Sequence, residues 1–304
     1  MVICPNMTSE KKILPPFSFF GGKRRVADIV WERFGNITNY VEPFCGALSV
    51  LLANPNPSKI ETINDIDCHL INWWRAVSND PDGVAKFADF PVSEAEMHAR
   101  HKWILSETTD DFRKKIEADP DFYDVKMGGF YVYGKSASIG SNWLQNKGLK
   151  ALPLLSSSGS GIFGLNYSIK ENFEILHNRL KRVRMACGDW KRLVTPSLTY
   201  GNPGLGKNDI TGMFLDPPYS LSHRDKVYKN ETDVFQEVCE WACLNGDNPR
   251  MRIAVCGYDD DFQFPETWEK YSWKGAGLSA LGDSRGRDNE KKETIWFSPY
   301  CLKA

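Results

Sequence analysis

Short apolar runs, each ending in a polar, glycine or proline corner, constrain the fold of this 304-residue chain more than any other feature. Such runs between turn signals are typical of buried strands, and here they alternate with stretches of helical spacing. Strands that alternate with helices predict a mainly parallel sheet in an α/β fold. The predicted strands are the start of residues 40–52 and residues 60–67, 183–187, 210–215, 252–258 and 293–298.

Helical spacing predicts helices around residues 26–34, 70–74, 94–103, 172–180 and 234–242. From about residue 73 to residue 160 the pattern changes, because charged helical segments give way to a stretch rich in Gly, Ser, Tyr and Asn. We therefore predict one α/β domain formed by residues 15–72 and 161–304, interrupted by a largely helical inserted region at 73–160. The serine-rich residues 156–161 suit either a surface linker or a DNA-contacting loop.

Composition excludes several classes of protein. With 41% hydrophobic and 25% charged residues, the chain is typical of globular proteins. The longest apolar stretch, residues 41–53, is too short and too interrupted to span a bilayer, and residues 1–5 lack the order of a signal peptide. We expect a cytoplasmic protein without a membrane partner. The eight scattered cysteines form no Cys-x-x-Cys pair and favour reduced thiols over a metal site.

The net charge of -1 gives no overall sign of a nucleic-acid partner. Three local basic clusters, at residues 23–25, 181–184 and 285–292, would neutralise phosphates if they shared a face. Ordinary solvated surface charge is the preferred interpretation of each cluster taken alone.

The tetrapeptide Asp216-Pro217-Pro218-Tyr219 follows the apolar run 210–215. The two prolines end the strand and stiffen the chain beyond it, so the acid and the aromatic are held in a fixed relation. Ligands bind beyond the carboxyl ends of strands in open α/β sheets, which makes this corner a candidate catalytic site. An ordinary turn is the alternative.

Two other segments suit a nucleotide-like ligand. Residues 19–23 place an aromatic, two glycines and Lys23 before a helix, and residues 43–46 form a tight turn containing glycine after the first strand. Neither segment has the spacing of a Walker loop or a dinucleotide fingerprint. Asp65 ends the second strand, where an acid can bind ribose hydroxyls; helix N-capping by Asp65 or Asp67 is a compatible second role.

Aromatic and small polar residues are interleaved at residues 128–143, a mixture that can stack on bases and hydrogen-bond base edges. The candidate DNA contacts are Lys135, Ser138, Asn142, Arg285 and Arg287.

In their order along the chain, these segments resemble the Dam-like, α-group DNA adenine-N6 methyltransferases of the D12 class. The matching segments are residues 19–23, 43–46, 64–66, 73–160 and 216–219, with 293–299 as the family's ending. The resemblance implies a Rossmann-like methyltransferase fold with a mixed, mostly parallel sheet and an inserted target-recognition domain. It also implies S-adenosyl-L-methionine as cofactor, double-stranded DNA as substrate and no obligate protein partner, in a protein encoded by a bacterium, archaeon or phage.

The resemblance also implies the roles of individual residues. Phe19, Gly22 and Lys23 would border the cofactor, with Lys23 meeting its carboxylate. Pro43, Phe44 and Gly46 would shape the turn beneath the methionine moiety. Asp65 would accept hydrogen bonds from the ribose hydroxyls, and Asp189 would lie near the cofactor's adenine. These positions, with Asp216, form the implied cofactor site.

Asp216 would act on the amine of a flipped adenine together with the Pro217 carbonyl, while Pro218 stiffens the corner and Tyr219 stacks on the base. No metal is required for this direct displacement. The corner also suits a cytosine-N4 methyltransferase, and an inactive scaffold that serves as a DNA-binding regulator is a further alternative. The chain has Phe19 and Ala47 where the family usually has Trp or Tyr and Gly, and residues 128–143 do not match the pattern of GATC-reading members.

Overall fold

The computed structural model describes residues 13, 15–17, 22–107, 110–119, 121–138, 142–144, 153, 162, 168–218, 234–274 and 292–303. Within these residues, seven strands form one sheet in the order β3-β2-β1-β4-β5-β7-β6. The strands are β1 (Asn39–Glu42), β2 (Ile60–Asp65), β3 (Arg184–Cys187), β4 (Thr211–Leu215), β5 (Met251–Tyr258), β6 (Glu269–Lys274) and β7 (Lys292–Phe297).

The described helices are α1 (Ala27–Phe34), α2 (Ser49–Leu52), α3 (Cys68–Asn79), α4 (Pro81–Ala88), α5 (Glu94–Glu107), α6 (Asp110–Ala118), α7 (Val125–Ala137), α8 (Ile169–Leu180) and α9 (Val234–Asn245). None of them is both long enough and apolar enough to cross a membrane.

Strands β1 to β5 run parallel, and β7 is antiparallel to both of its neighbours. The predicted Rossmann-like fold, a mixed and mostly parallel sheet, is therefore confirmed. The chain extends the sheet from β1 through β2 to β3 on one side and then returns to place β4 on the other side of β1. This reversal puts a crevice beyond the carboxyl ends of β1 and β4.

The central strands are buried because helices cover both faces of the sheet. Every residue of β1 and β4 is buried. Alternate side chains enter two separate cores: Tyr40 and Phe214 face the core shared with most of the helices, whereas Val41 and Met213 face the core closed by α9. Runs buried on both faces read as continuous apolar segments, which is why these strands were predictable.

Strand β6 was not predicted. Its sequence, Glu-Lys-Tyr-Ser-Trp-Lys, alternates polar and aromatic residues and pairs with β7 only, at the edge of the sheet. Tyr271 is exposed, whereas Trp273, two residues further along the same face, is partly buried. A strand with so little apolar content does not produce the continuous run that marks the central strands.

Helices α3, α4, α7 and α8 pack together, with α3 against strands β2 and β3. The predicted start of the inserted region at residue 73 lies inside α3. Trp73 and Trp74 are fully buried there. Helix α7 approaches its neighbours through glycines: a Cβ at Gly129 would lie 2.4 Å from Phe87, and one at Gly134 would lie 1.7 Å from Trp143. These glycines therefore allow close packing of the helices.

Candidate active site

The Asp-Pro-Pro corner directly follows β4, as predicted. Asp216 is partly exposed, Pro217 is buried and Pro218 is exposed. The Asp216 carboxylate forms an ion pair with Lys23, in which Nζ lies 3.0 Å from Oδ1. Lys23 begins a single 3-10 turn, Lys23–Arg25, that precedes α1. The structure thus joins two predicted site residues that lie 193 positions apart in the chain.

Lys23 is buried beneath this corner, with only 3% of its side chain exposed. Its ammonium also lies 3.9 Å from Oε2 of Glu293 on β7. Burial by itself lowers the pKa of Lys23, but the negative charges of Asp216 and Glu293 and the hydrogen bond to Asp216 act in the opposite direction, and the pKa is raised. Lys23 therefore stays cationic and favours the ionised form of the carboxylates beside it.

Glu42, at the end of β1, is a buried acid that the sequence analysis did not select. Burial raises the pKa of its carboxyl to about 8, although the Tyr40 hydroxyl, which donates a 2.9 Å hydrogen bond to Oε2, acts in the opposite direction. The charge of Asp216 raises it further. At neutral pH Glu42 is therefore largely protonated.

The turn after β1 has the tight geometry that its sequence predicts. Gly46 has φ +44°, and Leu48 is left-handed with φ +55°. Phe44 is partly buried, and the centroid of its ring lies 6.0 Å from that of Trp190. The backbone carbonyl of Gly46 accepts a hydrogen bond from the indole of Trp74, at 3.1 Å. Helix α3 therefore holds the turn in place.

One buried amide ties three strand ends together. The Nδ2 group of Asn64 donates to the carbonyl of Pro43 after β1 and to the carbonyl of Gly188 after β3, both at 2.9 Å. Asn64 itself lies in β2 and is 1% exposed. The mutual position of these loops is therefore set by hydrogen bonds as well as by packing.

Asp65 and Asp67 divide the two roles that the sequence allowed. The side chain of Asp67 caps α3 by accepting from the backbone N–H groups of His69 and Leu70. Asp65 accepts from the N–H of Gly46 at 3.2 Å and from the N–H of Asp67 at 3.0 Å. Burial raises the pKa of Asp65 to about 6, against the effect of these hydrogen bonds. The helix cap is Asp67, and Asp65 is oriented toward the turn after β1.

A cavity joins these elements at the carboxyl edge of the sheet. Its lining includes one basic and two acidic side chains, those of Lys23, Glu42 and Asp216. The rest of its lining comes from Gly22, Phe44, Cys45, Gly46, Ala47, Ser49, Val50 and Phe214. Asp216 and the nearby Glu293 together carry more negative charge than the single positive charge of Lys23, and Phe44 and Phe214 are the aromatic lining residues. This arrangement suits a cationic ligand.

Asp189 follows β3 at the same edge. It is exposed, and its carboxylate caps the 3-10 turn Trp190–Arg192 by accepting from the N–H of Lys191 at 2.8 Å. Ile66, next to Asp65, is 66% exposed and offers an uncovered apolar side chain beside it. Sequence reasoning did not select Ile66, Glu42 or Glu293; an acid inside an otherwise apolar strand was the available signal for Glu42.

The predicted DNA contacts are only partly described. Lys135 lies on α7 with its ammonium 5.5 Å from the ring of Tyr131. The pKa of Lys135 is lowered, because the effect of burial exceeds the opposing effect of the charges of Asp67 and Asp65. Ser138 ends α7 and donates its hydroxyl to the Gly134 carbonyl at 2.6 Å. For Asn142 only the backbone is described, in a 3-10 turn; Phe19, Tyr219, Arg285, Arg287 and residues 156–161 lie outside the described residues.

Three of the four aromatic residues of 128–143 do not have the exposure that base stacking needs; the fourth, Phe130, is partly buried. Tyr131, Tyr133 and Trp143 are fully buried in the helical core. The Tyr131 hydroxyl lies 3.3 Å from the Asp67 carboxylate, and Tyr133 donates to the carbonyl of Pro91 at 3.1 Å. The expectation that these rings stack on bases is corrected, because the same interleaved pattern arises from a helix buried on most of its surface.

Comparison with known proteins agrees with this geometry. Residues 19–139 match the model of the D12 class N6 adenine-specific DNA methyltransferase family. The chain is also 23% identical over 305 aligned positions to the Type II methyltransferase M.MjaIII of Methanocaldococcus jannaschii, an alignment that covers 94% of this chain and 97% of that protein. The chain is therefore similar, over residues 19–139, to the D12 class N6 adenine-specific DNA methyltransferases.

Proposed function

We propose that this protein transfers a methyl group from S-adenosyl-L-methionine to the N6 amine of an adenine flipped out of duplex DNA, with Asp216 as the acceptor for that amine. The observation that carries the proposal is the buried Lys23–Asp216 ion pair in the cavity beyond β1 and β4. Adenine-specific N6 methylation of DNA is the activity named for the family whose model residues 19–139 match, which supports the proposal.

The residues around the cavity fit the proposed cofactor. S-adenosyl-L-methionine carries a sulfonium, an ammonium and one carboxylate, so it is a net cation near neutral pH. Asp216 and Glu293 together exceed the single positive charge of Lys23, and Asp65 presents an oriented carboxylate at the next strand end. Phe44, Gly46 and Ala47 supply an apolar wall. The cofactor supplies an electrophilic methyl group on sulfur.

Asp216 addresses the main difficulty of the reaction. The adenine N6 lone pair is delocalised into the ring, so this nitrogen is a poor nucleophile until its hydrogens are bonded to strong acceptors. The Asp216 carboxylate and the Pro217 carbonyl are two acceptors on a stiff segment of chain. As the N–C bond forms, the carbon–sulfur bond breaks with its electron pair left on sulfur, and an N6 proton passes to Asp216. Positioning contributes much of the rate gain.

Tyr219 is proposed to stack on the extruded base, which offsets part of the few kcal/mol needed to unstack it. Phe19, Gly22, Pro43 and Asp189 are proposed to complete the cofactor site. We propose that residues 73–160 form the target-recognition region and that Lys135, Ser138, Asn142, Arg285 and Arg287 contact DNA. Because its proposed substrate is duplex DNA, we propose that the protein, encoded by a bacterium, archaeon or phage, lies in the cytoplasm.

Transfer of a labelled methyl group from S-adenosyl-L-methionine to unmethylated duplex DNA tests this proposal. Asp216→Asn should abolish measurable transfer, because the amide keeps the size of the side chain but loses the charge and basicity. Asp260→Asn, at an exposed acid after β5, is the matched control and should be fully active. Unchanged transfer by Asp216→Asn would remove Asp216 from the mechanism.

A binding-only role on the same scaffold makes a different prediction. Calorimetric titration should give saturable binding of S-adenosyl-L-methionine to the wild-type protein. Failure to bind the cofactor, together with tight binding to duplex DNA, would instead support a DNA-binding regulator.

A further inference from the structure

Strand β7 brings a second acid to the Lys23–Asp216 pair. In the sheet, Glu293 lies opposite Tyr258 of β5 and opposite Trp273 of β6, and its side chain is 20% exposed. Its Oε2 is 3.9 Å from the Lys23 ammonium, which is 3.0 Å from Asp216. One buried cation therefore lies between two carboxylates from different strands.

The three groups respond to one another electrostatically. Burial raises the pKa of Glu293, the Lys23 charge lowers it and the Asp216 charge raises it again. The other titratable groups of this cluster are Glu42 on β1 and Cys256 on β5. Burial raises the pKa of both, so both are largely neutral near pH 7. Near pH 7 the Lys23 ammonium therefore has two carboxylates beside it, those of Asp216 and Glu293.

We propose that Glu293 is a positioning residue for methyl transfer: it shares the Lys23 ammonium with Asp216, and Asp216 thereby remains a stronger acceptor for the adenine amine than in an exclusive pair. This inference rests on the proposed role of Asp216 in the reaction. Glu293 touches neither the base nor the cofactor in this scheme and acts through Lys23 alone.

Charge balance gives the direction of the effect. A carboxylate paired with one ammonium binds a proton less tightly, and a second carboxylate nearby partly restores that basicity. Removal of the Glu293 charge leaves the field of Lys23 on Asp216, so Asp216 ionises at a lower pH and becomes a weaker base. The acidic limb of the pH profile for transfer should then move downward, by about one pH unit for a neighbouring charge.

The test is the single-turnover rate of methyl transfer from pH 5 to pH 9, with saturating S-adenosyl-L-methionine and unmethylated duplex DNA. Glu293→Gln should shift the acidic limb downward and slow transfer at pH 8 by about three- to tenfold, as expected for a weaker base. Glu293→Asp should partly restore the wild-type position of the acidic limb and the wild-type rate at pH 8. Glu266→Gln, at an exposed acid before β6, is the matched control and should follow the wild-type profile.

Two outcomes would overturn the inference: an unchanged acidic limb with an unchanged rate, or a lower rate that follows only the unfolded fraction measured by circular dichroism. Asp216→Asn in the same experiment distinguishes failure of the proposed role of Glu293 from failure of the proposed role of Asp216. If Asp216→Asn is inactive while Glu293→Gln matches the wild type, only the role of Glu293 fails. If Asp216→Asn transfers normally, the proposed catalytic role of Asp216 fails.

Discussion

The carboxyl edge of the sheet and the helical layer between β2 and β3 are built by different means. At the sheet edge, buried polar groups hold one another: Lys23 binds Asp216, and Asn64 links two neighbouring turns. In the helical layer, large aromatic side chains such as Trp73 and Tyr131 fill the core. Buried ion pairs add little net stability, whereas buried aromatic rings add a great deal. The comparison indicates that the edge provides chemistry and the helices provide stability.

The sharpest way to break this comparison is to remove a ring from the helical layer. Trp73 is fully buried and lies edge-on to Phe173, with ring centroids 5.0 Å apart. Trp73→Ala should lower the free energy of unfolding by about 3–5 kcal/mol, as large-to-small core changes do. Urea unfolding measures this loss. Trp103→Ala, at a partly exposed ring, should lower the free energy of unfolding clearly less. Equal losses would mean that the layer is not tightly packed at Trp73.

The reciprocal change removes the buried cation of the edge. Lys23→Met keeps the length of the side chain, and we expect transfer to slow about 100-fold, as when one preorganised electrostatic group is lost. The loss of stability should be smaller than for Trp73→Ala because Asp216 and Glu293 keep some contact with solvent. Arg25→Met, at an exposed position of the same turn, is the control. A higher KM for S-adenosyl-L-methionine with unchanged kcat would show that Lys23 serves the cofactor carboxylate instead.

At the carboxyl edge of the sheet, a change at Asp65 separates cofactor binding from turnover. Asp65→Ala should weaken binding of S-adenosyl-L-methionine about tenfold or more, since it removes charged hydrogen bonds proposed for the ribose. Turnover at saturating cofactor should change little, because the ribose is distant from the methyl group. Calorimetry and initial rates measure the two effects, with the exposed Asp82→Ala as control. A large fall in turnover with unchanged affinity would contradict this assignment.

Glu42 predicts a pH dependence of stability. The folded protein retains a proton on Glu42 up to about pH 8, whereas an ordinary glutamate releases it near pH 4.5. Stability should therefore fall as the pH rises between these values, by up to about 1.4 kcal/mol per pH unit. Glu42→Gln, which keeps an acceptor for Tyr40, should flatten this slope in urea unfolding at pH 5.5, 6.5 and 7.5. An unchanged slope would assign the pH dependence to other groups.

The smallest expected effect concerns Lys135. If it contacts a phosphate, Lys135→Ala should weaken binding to duplex DNA by a few fold and reduce the salt dependence by about one ion. Because the charges of Asp65 and Asp67 act on Lys135, a place in the cofactor site is the alternative for this residue. Unchanged DNA binding with altered affinity for S-adenosyl-L-methionine would move Lys135 from the DNA surface to the cofactor site.

The central strands and their corners were predictable because burial on both faces and the turn residues leave strong local signals. The segments that end at Lys23, Gly46, Asp65 and Asp216 were selected from sequence alone. Glu293 was not, since its role depends on β7 lying beside β5, a pairing that local sequence does not specify. Residues 128–143 were misread for a related reason: glycines and aromatics suit an exposed binding loop, but here they pack α7 closely against its neighbours.

The most direct test of the account is mass spectrometry of nucleosides from unmethylated duplex DNA incubated with S-adenosyl-L-methionine and the protein. We predict N6-methyladenine with the wild-type protein and none with Asp216→Asn. Formation of N4-methylcytosine instead, or equal amounts of N6-methyladenine from both proteins, would contradict it.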